Sequence, residues 1–391
     1  MIMKHDSNLN SVIDTGFQFK NGKKFLNIYL FFVVLLFATC GTDLEEPEKP
    51  EIWPVGQNVY VAGFENNAQE NPEATLWKNG VLQNLGGTDG SIVRSSDEDL
   101  TLYRSEASSV FVSGDDVYVA GYEIFQKEVK ETENSVHYEY IMLARLWKNG
   151  TIQNLSHGTL DDVATSVFVS GNDVYVLGYE ILENPNKFAL KFWKNGKAEI
   201  FAEVGKQTQV VNSIFVSEGD VYIAGRIENQ AKLWKNGVEF NLIGGTNAYS
   251  VFVSGNDVYV AGCGDGAKLW KNSKAENLTD GTKNAAAYSV YILGNDVYVA
   301  GHDGFERGDA KLWKNGVVQN LPETQDAMIF QSAFISGEDI YLAGYVEAIK
   351  EAEPGSLPIG YYKATLWKNG KKLNLNVGKD TYSNACSVFV K

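Results

Sequence analysis

Seven times along this chain a block Asp-Val-Tyr-Val-Ala-Gly is followed by Leu-Trp-Lys-Asn-Gly, each block exact or closely varied, and nothing else in the sequence limits the fold so tightly. The tyrosines are Tyr60, Tyr118, Tyr175, Tyr222, Tyr259, Tyr298 and Tyr341. The tryptophans are Trp77, Trp147, Trp193, Trp234, Trp270, Trp313 and Trp367. Successive tyrosines are on average about 47 residues apart, the period of a unit that buries its apolar face by stacking on copies of itself. Four blocks of strand length recur in each copy, most clearly Ser250–Val253, Asp257–Gly262, Lys268–Asn272 and Lys274–Leu278. Gly-Asn-Asp or a relative joins the first two blocks, and Lys-Asn-Gly joins the last two. Asn and Gly tolerate the positive φ of tight hairpin turns. In the fifth copy Ser273 stands where the others have Gly, which predicts a looser turn.

The second block is apolar on both faces, so neighbouring units must cover it. The Tyr and Trp of each copy are predicted to fill the spaces between units, which explains their periodicity better than a sugar-stacking platform does. A length of 391 residues would ordinarily imply two or three domains, but the repetition reduces the body to one. The chain ends in Ser387-Val388-Phe389-Val390, a first block with no copy after it. The corresponding stretch at the start, Glu51-Ile52-Trp53-Pro54-Val55, holds a proline, which donates nothing to a strand ladder. The C-terminal strand is therefore predicted to complete the first unit and close a ring, removing exposed sheet edges. The pattern resembles the blades of the seven-bladed β-propeller superfamily, kelch-like or WD40-like in length, as found in bacterial lipoproteins, and the resemblance covers residues 51–391. It implies an all-β propeller of four-stranded antiparallel blades. The kelch Gly-Gly pair, the WD dipeptide and the sialidase Asp-box are absent, so no activity carries over with the fold.

Lys20, Lys23 and Lys24 precede an apolar run from Phe25 to Thr39, the length of a signal-peptide core rather than a membrane span. The run ends Leu36-Phe37-Ala38-Thr39-Cys40-Gly41, which resembles a lipobox despite Phe37 and Thr39. Residues 1–39 then read as a lipoprotein signal peptide, and residues 40–50 as a lipidated Cys40 with an acidic, proline-containing tether. The resemblance implies export to the outer membrane of a Gram-negative bacterium, anchoring through lipid at Cys40 and display on the cell surface. Cys263 and Cys386 lie in distant copies and are expected to stay free thiols. A formal charge of −15 argues against a phosphate-binding surface and hence against nucleic acid. No Cys/His cluster points to a metal, and no cofactor is implied.

Every long insertion falls in the second-to-third or fourth-to-first connections, which share one face of such a ring, and binding residues concentrate on variable loops of a rigid scaffold. The candidates on that face are Asp97, Asp99, Arg104, His137, Asp161, Arg226, Asp265, His302, Asp303, Glu306 and Arg307. A serine also precedes every first strand: Ser109, Ser166, Ser213, Ser250, Ser289, Ser332 and Ser387. Backbone hydrogen bonding explains these better than nucleophilic chemistry does, because none sits in a GxSxG elbow. The leading expectation is a monomeric, surface-displayed propeller that binds a protein or glycan ligand without catalysis. Two alternatives stand beside it. One is a polysaccharide-acting hydrolase or lyase built on His302, Glu306 and Arg307; the other is a structural subunit of an outer-membrane complex.

Overall fold

The computed structural model describes residues 53–391 except 87–99, 133–134, 157–160, 183–186, 206–209, 282–283, 305, 307, 351–358, 376 and 379. Cys40 with its signal segment and tether, Asp97, Asp99 and Arg307 lie outside the described residues. Among the described residues every regular element is a strand, and the strands form seven four-stranded sheets. Every pairing is antiparallel, for example Tyr259 opposite Lys271 in the fifth blade. The first strands of the blades contact one another in a closed circuit around the central axis. The C-terminal strand Ser383–Val390 pairs with Val59–Asn66 and completes the first blade, with Val388 opposite Val61. Beyond it, Lys391 and Asn58 exchange backbone hydrogen bonds of 2.7 and 2.9 Å. Trp53 instead packs, half-buried, against the cluster holding Trp77, Leu373 and Leu375, and Pro54 and Val55 after it stay out of the ladder.

One polar unit explains why Asp-Val-Tyr and Trp-Lys-Asn-Gly recur together. In all seven blades the turn asparagine has φ of 48–53°, and its Oδ1 accepts the N–H at the start of the second strand at 2.8–2.9 Å. In blades two to seven its Nδ2 donates to the aspartate of that strand at 2.7–2.8 Å. The other oxygen of the aspartate takes the lysine ammonium at 2.7–2.8 Å. The ammonium lies over the repeat tyrosine, 5.1–5.6 Å from the ring centre. The two tight turns of a blade are thus stitched to each other. The fifth turn is not looser: Ser273 adopts φ 65° and Lys271 still faces Lys274. The bonds to Asn272 override the missing glycine, at a local strain of about 1 kcal/mol.

The seven tryptophans are 0–1% exposed, and each packs on the preceding blade, as Trp270 does on Tyr222 and Ala224. Burial leaves them no face for a sugar. Along the axis, Phe111, Phe168, Phe215, Phe252, Tyr291, Phe334 and Phe389 form a closed belt with neighbouring centroids 4.6–5.2 Å apart. Next to the belt, each recurrent serine hydroxyl accepts the inner-strand N–H of the following blade at 3.1–3.4 Å, seven times round the ring. The serines are inter-blade clasps. The long excursions of the second and seventh blades are continuous strands rather than irregular loops, Asp116–Thr132 with Ser135–Lys148 and Asp339–Lys350 with Ile359–Lys368.

Candidate functional site: the axial mouth

Away from the tight turns, each inner strand carries a β-bulge just before its clasp serine, as between Ala248 and Ser250 or Ala287 and Ser289. Opposite each bulge lies the glycine of the Ala-Gly or Leu-Gly pair. A Cβ there would sit 1.9–2.3 Å from an inner-strand carbonyl oxygen, so no larger residue fits. The residue after that glycine is free to vary: Phe64, Tyr122, Tyr179, Arg226, Cys263, His302 or Tyr345. Together with the bulge residues, among them Tyr249, Tyr288, Gln331 and Cys386, these side chains surround the axis on the loop side.

They form a connected wall. Cys263 Sγ lies 3.9 Å from Tyr249 Oη, the Tyr249 and Tyr288 rings are 4.7 Å apart, and Tyr288 stacks on His302 at 5.5 Å. Tyr345, Tyr362, Tyr382 and Phe64 form a second stack, with successive centroids 4.7, 5.7 and 5.8 Å apart. Across the mouth Arg104 pairs with Glu106 and donates to Tyr122 Oη at 3.4 Å. Burial raises the Tyr122, Tyr249, Tyr288 and Tyr345 phenols and pushes Tyr179 up to about 12, so all five stay neutral hydrogen-bonding groups at physiological pH. Burial also lowers His302, which keeps it neutral. His302 Nδ1 faces the carbonyl of Gly304 and must carry the proton, so Nε2, 3.4 Å from Tyr288 Oη, is the acceptor. The wall can bind through ring faces, hydroxyls and two kinds of cation: Arg104, paired with Glu106, and Arg226, whose buried Nε has no partner.

Of the residues singled out from sequence, Arg104, Arg226 and His302 belong to this wall, Arg104 against Tyr122, Arg226 beside Tyr249 and His302 on Tyr288. His137 lies on the projecting hairpin, 3.9 Å from Glu139 Oε1. Asp161 Oδ1 accepts the Met142 N–H at 2.9 Å, tying the third blade to the second. Asp265 is exposed in the two-strand turn of the fifth blade. Asp303 and Glu306 sit in a turn organised by Asp309, which takes the Asp303 amide on its backbone oxygen at 2.8 Å and the Glu306 amide on Oδ2 at 2.6 Å. Glu306 is exposed while His302 is 1% exposed. Sequence reasoning missed Tyr249, Tyr288, Tyr345, Tyr362 and Tyr382. For Tyr345 a signal was available, the one unrepeated position after each repeat glycine, whereas Tyr249 and Tyr288 sit on the bulges, which the sequence did not mark.

The class that this ring and its mouth define is the seven-bladed β-propeller, a scaffold suited to binding. No protein-family model matches the chain, and no curated protein sequence matches it. Solved structures similar to it include the computationally designed Ika8 protein, 12% identical over 72% of this chain and 93% of that one, with a TM-score of 0.38. A candidate 6-phosphogluconolactonase from Bacteroides uniformis is 9% identical over 86% of this chain and 99% of its own, with a TM-score of 0.41. Sqt1 of Chaetomium thermophilum is 9% identical over 74% and 78% respectively, with a TM-score of 0.39. Likenesses this distant carry nothing about what the present chain binds.

Proposed function

We propose that the protein is a non-enzymatic binding protein that holds a glycan or protein ligand at the axial mouth and is displayed from the outer membrane by lipid on Cys40. The observation that supports the site is the crescent of ring faces from Phe64 through Tyr345 and Tyr288 to Tyr249, set where the repeat leaves a side chain unconstrained. Tyrosine presents an apolar face and a polar tip, the surface that sugars and peptides both use. The acid–base pair that a hydrolase built on His302 would need has little support, because His302 is buried and committed to Tyr288 and Gly304.

The test is a glycan and peptide array probed with the detergent-solubilised protein and two variants. Tyr249→Ala/Tyr345→Ala should abolish whatever signal appears, and Tyr138→Ala on the projecting hairpin should retain it. The opposite pattern would move the site to the hairpin, and polysaccharide turnover abolished by Glu306→Gln would replace binding with catalysis. Lipid display predicts that protease added to intact cells cleaves the protein; protection would place it on the inner leaflet.

A further inference from the structure

Buried polar atoms in folded proteins are almost always hydrogen-bonded, so those left without a partner call for an explanation. Four such atoms lie in the mouth tier: Arg226 Nε, Gln331 Oε1, Asn384 Oδ1 and Arg104 Nε. Arg104 has Glu106 for its charge. Arg226 has no ion pair among the described residues, and it stands beside Tyr249, whose phenol feels its charge. Gln331 is the bulge residue of the seventh blade, and Asn384 faces Phe64 in the first. Between the cation and the two amide oxygens run the rings of Tyr249, Tyr288 and Tyr345.

From this arrangement we infer that the ligand of the mouth is an acidic glycan whose uronate carboxylate is held by Arg226. The chemistry required is specific. A guanidinium with open donors takes a carboxylate bidentately. Two buried acceptors without donors need hydroxyl or N–H groups brought in by the ligand, and a pyranose carries several on one ring. Neutral phenols with aromatic rings suit the C–H face of a sugar. A peptide ending in a free carboxylate satisfies Arg226 equally well, but it brings few donors to Gln331 and Asn384. The inference rests on the mouth being the ligand site, and the experiment separates the two.

The probes are tetrasaccharides of galacturonate, glucuronate and mannuronate, their methyl esters, a neutral glucan tetrasaccharide and a tetrapeptide with a free C-terminus. Titration calorimetry on the full chain in detergent measures each. The expected result is binding of at least one free uronate, with its methyl ester weaker by roughly 10- to 100-fold, the range of a lost charge-assisted contact. Arg226→Gln should reproduce that loss for the free acid and leave the ester unchanged, with an unaltered melt showing that the fold is intact. Tyr249→Ala should weaken both acid and ester. If acid, ester and neutral glucan bind alike and Arg226→Gln changes none of them, the acidic-ligand inference fails while the mouth survives. If Tyr249→Ala is also without effect, the mouth itself is refuted. Binding of no uronate, or of the tetrapeptide alone, overturns the inference.

Discussion

The decisive test of ring closure is a single charge placed on the closing strand, Val388→Asp. Val388 is 4% exposed among Val61, Trp77, Tyr341 and Leu366, and its N–H is clasped by Ser332 at 3.2 Å. Losing a buried valine removes about 1.5–3 kcal/mol of apolar burial. The new carboxyl must also be neutral to remain there. Lifting an aspartate from its ordinary value near 4 to neutrality at pH 7 costs about 4 kcal/mol at 1.36 per unit. The strand has an escape, because it can undock and leave the first blade with three strands, so the loss is capped by what its docking is worth. A net loss of about 4–7 kcal/mol is a large share of the 5–15 kcal/mol that a folded protein holds, and it lowers the melting temperature on the order of 10 °C. The partner experiment is Val55→Asp, since Val55 is 94% exposed and a surface change there shifts stability by at most about 0.5 kcal/mol. Calorimetric melts of the full chain at pH 7 compare the two. A Val388→Asp melt within 1 or 2 °C (roughly 0.5 kcal/mol) of the parent, or a larger fall for Val55→Asp, would refute C-terminal closure.

The strained fifth turn should be relieved by Ser273→Gly, which removes the left-handed penalty at φ 65° while loosening the unfolded chain. A net gain of about 0.5 kcal/mol in urea denaturation is expected, and a loss would show that the Ser273 side chain contributes to the turn. Asp116, Asp173, Asp220, Asp257 and Asp296 are all held below their ordinary value of 3.8, chiefly by hydrogen bonds from Lys148, Lys194, Lys235, Lys271 and Lys314. Because the folded values are depressed, their stabilisation is present above about pH 4 and is lost as pH falls through them. The urea midpoint should hold from pH 7 to 5 and drop below 4. Replacing all five by Asn should flatten that drop, and an unchanged acid limb would count against the turn-face pairs. Burial pushes the Cys386 thiol up to about 12, so it should resist iodoacetamide at pH 8 until the protein is unfolded; rapid labelling in the native state would contradict its placement.

The fold was legible because it is written seven times. Tyr60 and Trp77 mean little singly, yet with their copies they give blade number, strand order, turn type and, through Val388 and Pro54, the point of closure. What stayed hidden was the reason the motif holds together. Nothing in Asp-Val-Tyr taken alone shows that Asp257 binds Lys271 and Asn272, fourteen and fifteen residues later, and that this grip shapes a turn even without glycine. The clasp serines were read as local backbone partners, but their bonds run between blades, as from Val290 N–H to Ser250 Oγ. Charge made Asp161 and Glu306 attractive from sequence. In the structure one ties two blades together and the other sits exposed on a turn built by Asp309.

Repetition also determines where function is free to evolve. A side chain at the tyrosine, tryptophan, lysine or serine position of the repeat is engaged by a neighbour in nearly every copy, so changing it weakens a blade or a clasp. The position after the conserved glycine escapes that constraint, because the glycine alone provides the close approach to the inner strand, with a Cβ excluded at 1.9–2.3 Å. The seven residues there are correspondingly diverse in chemistry: one arginine, one cysteine, one histidine, one phenylalanine and three tyrosines. They recur once per blade at the same place opposite the inner-strand bulge, so a ring of seven supports brings them to the same end of the molecule. A blade sequence can therefore stay fixed for stability while this position is chosen for a ligand. Arg226 is the sharpest instance: Tyr122 and Tyr179 occupy the same position in the preceding two blades, and the buried guanidinium Nε that replaces them has no partner among the described residues.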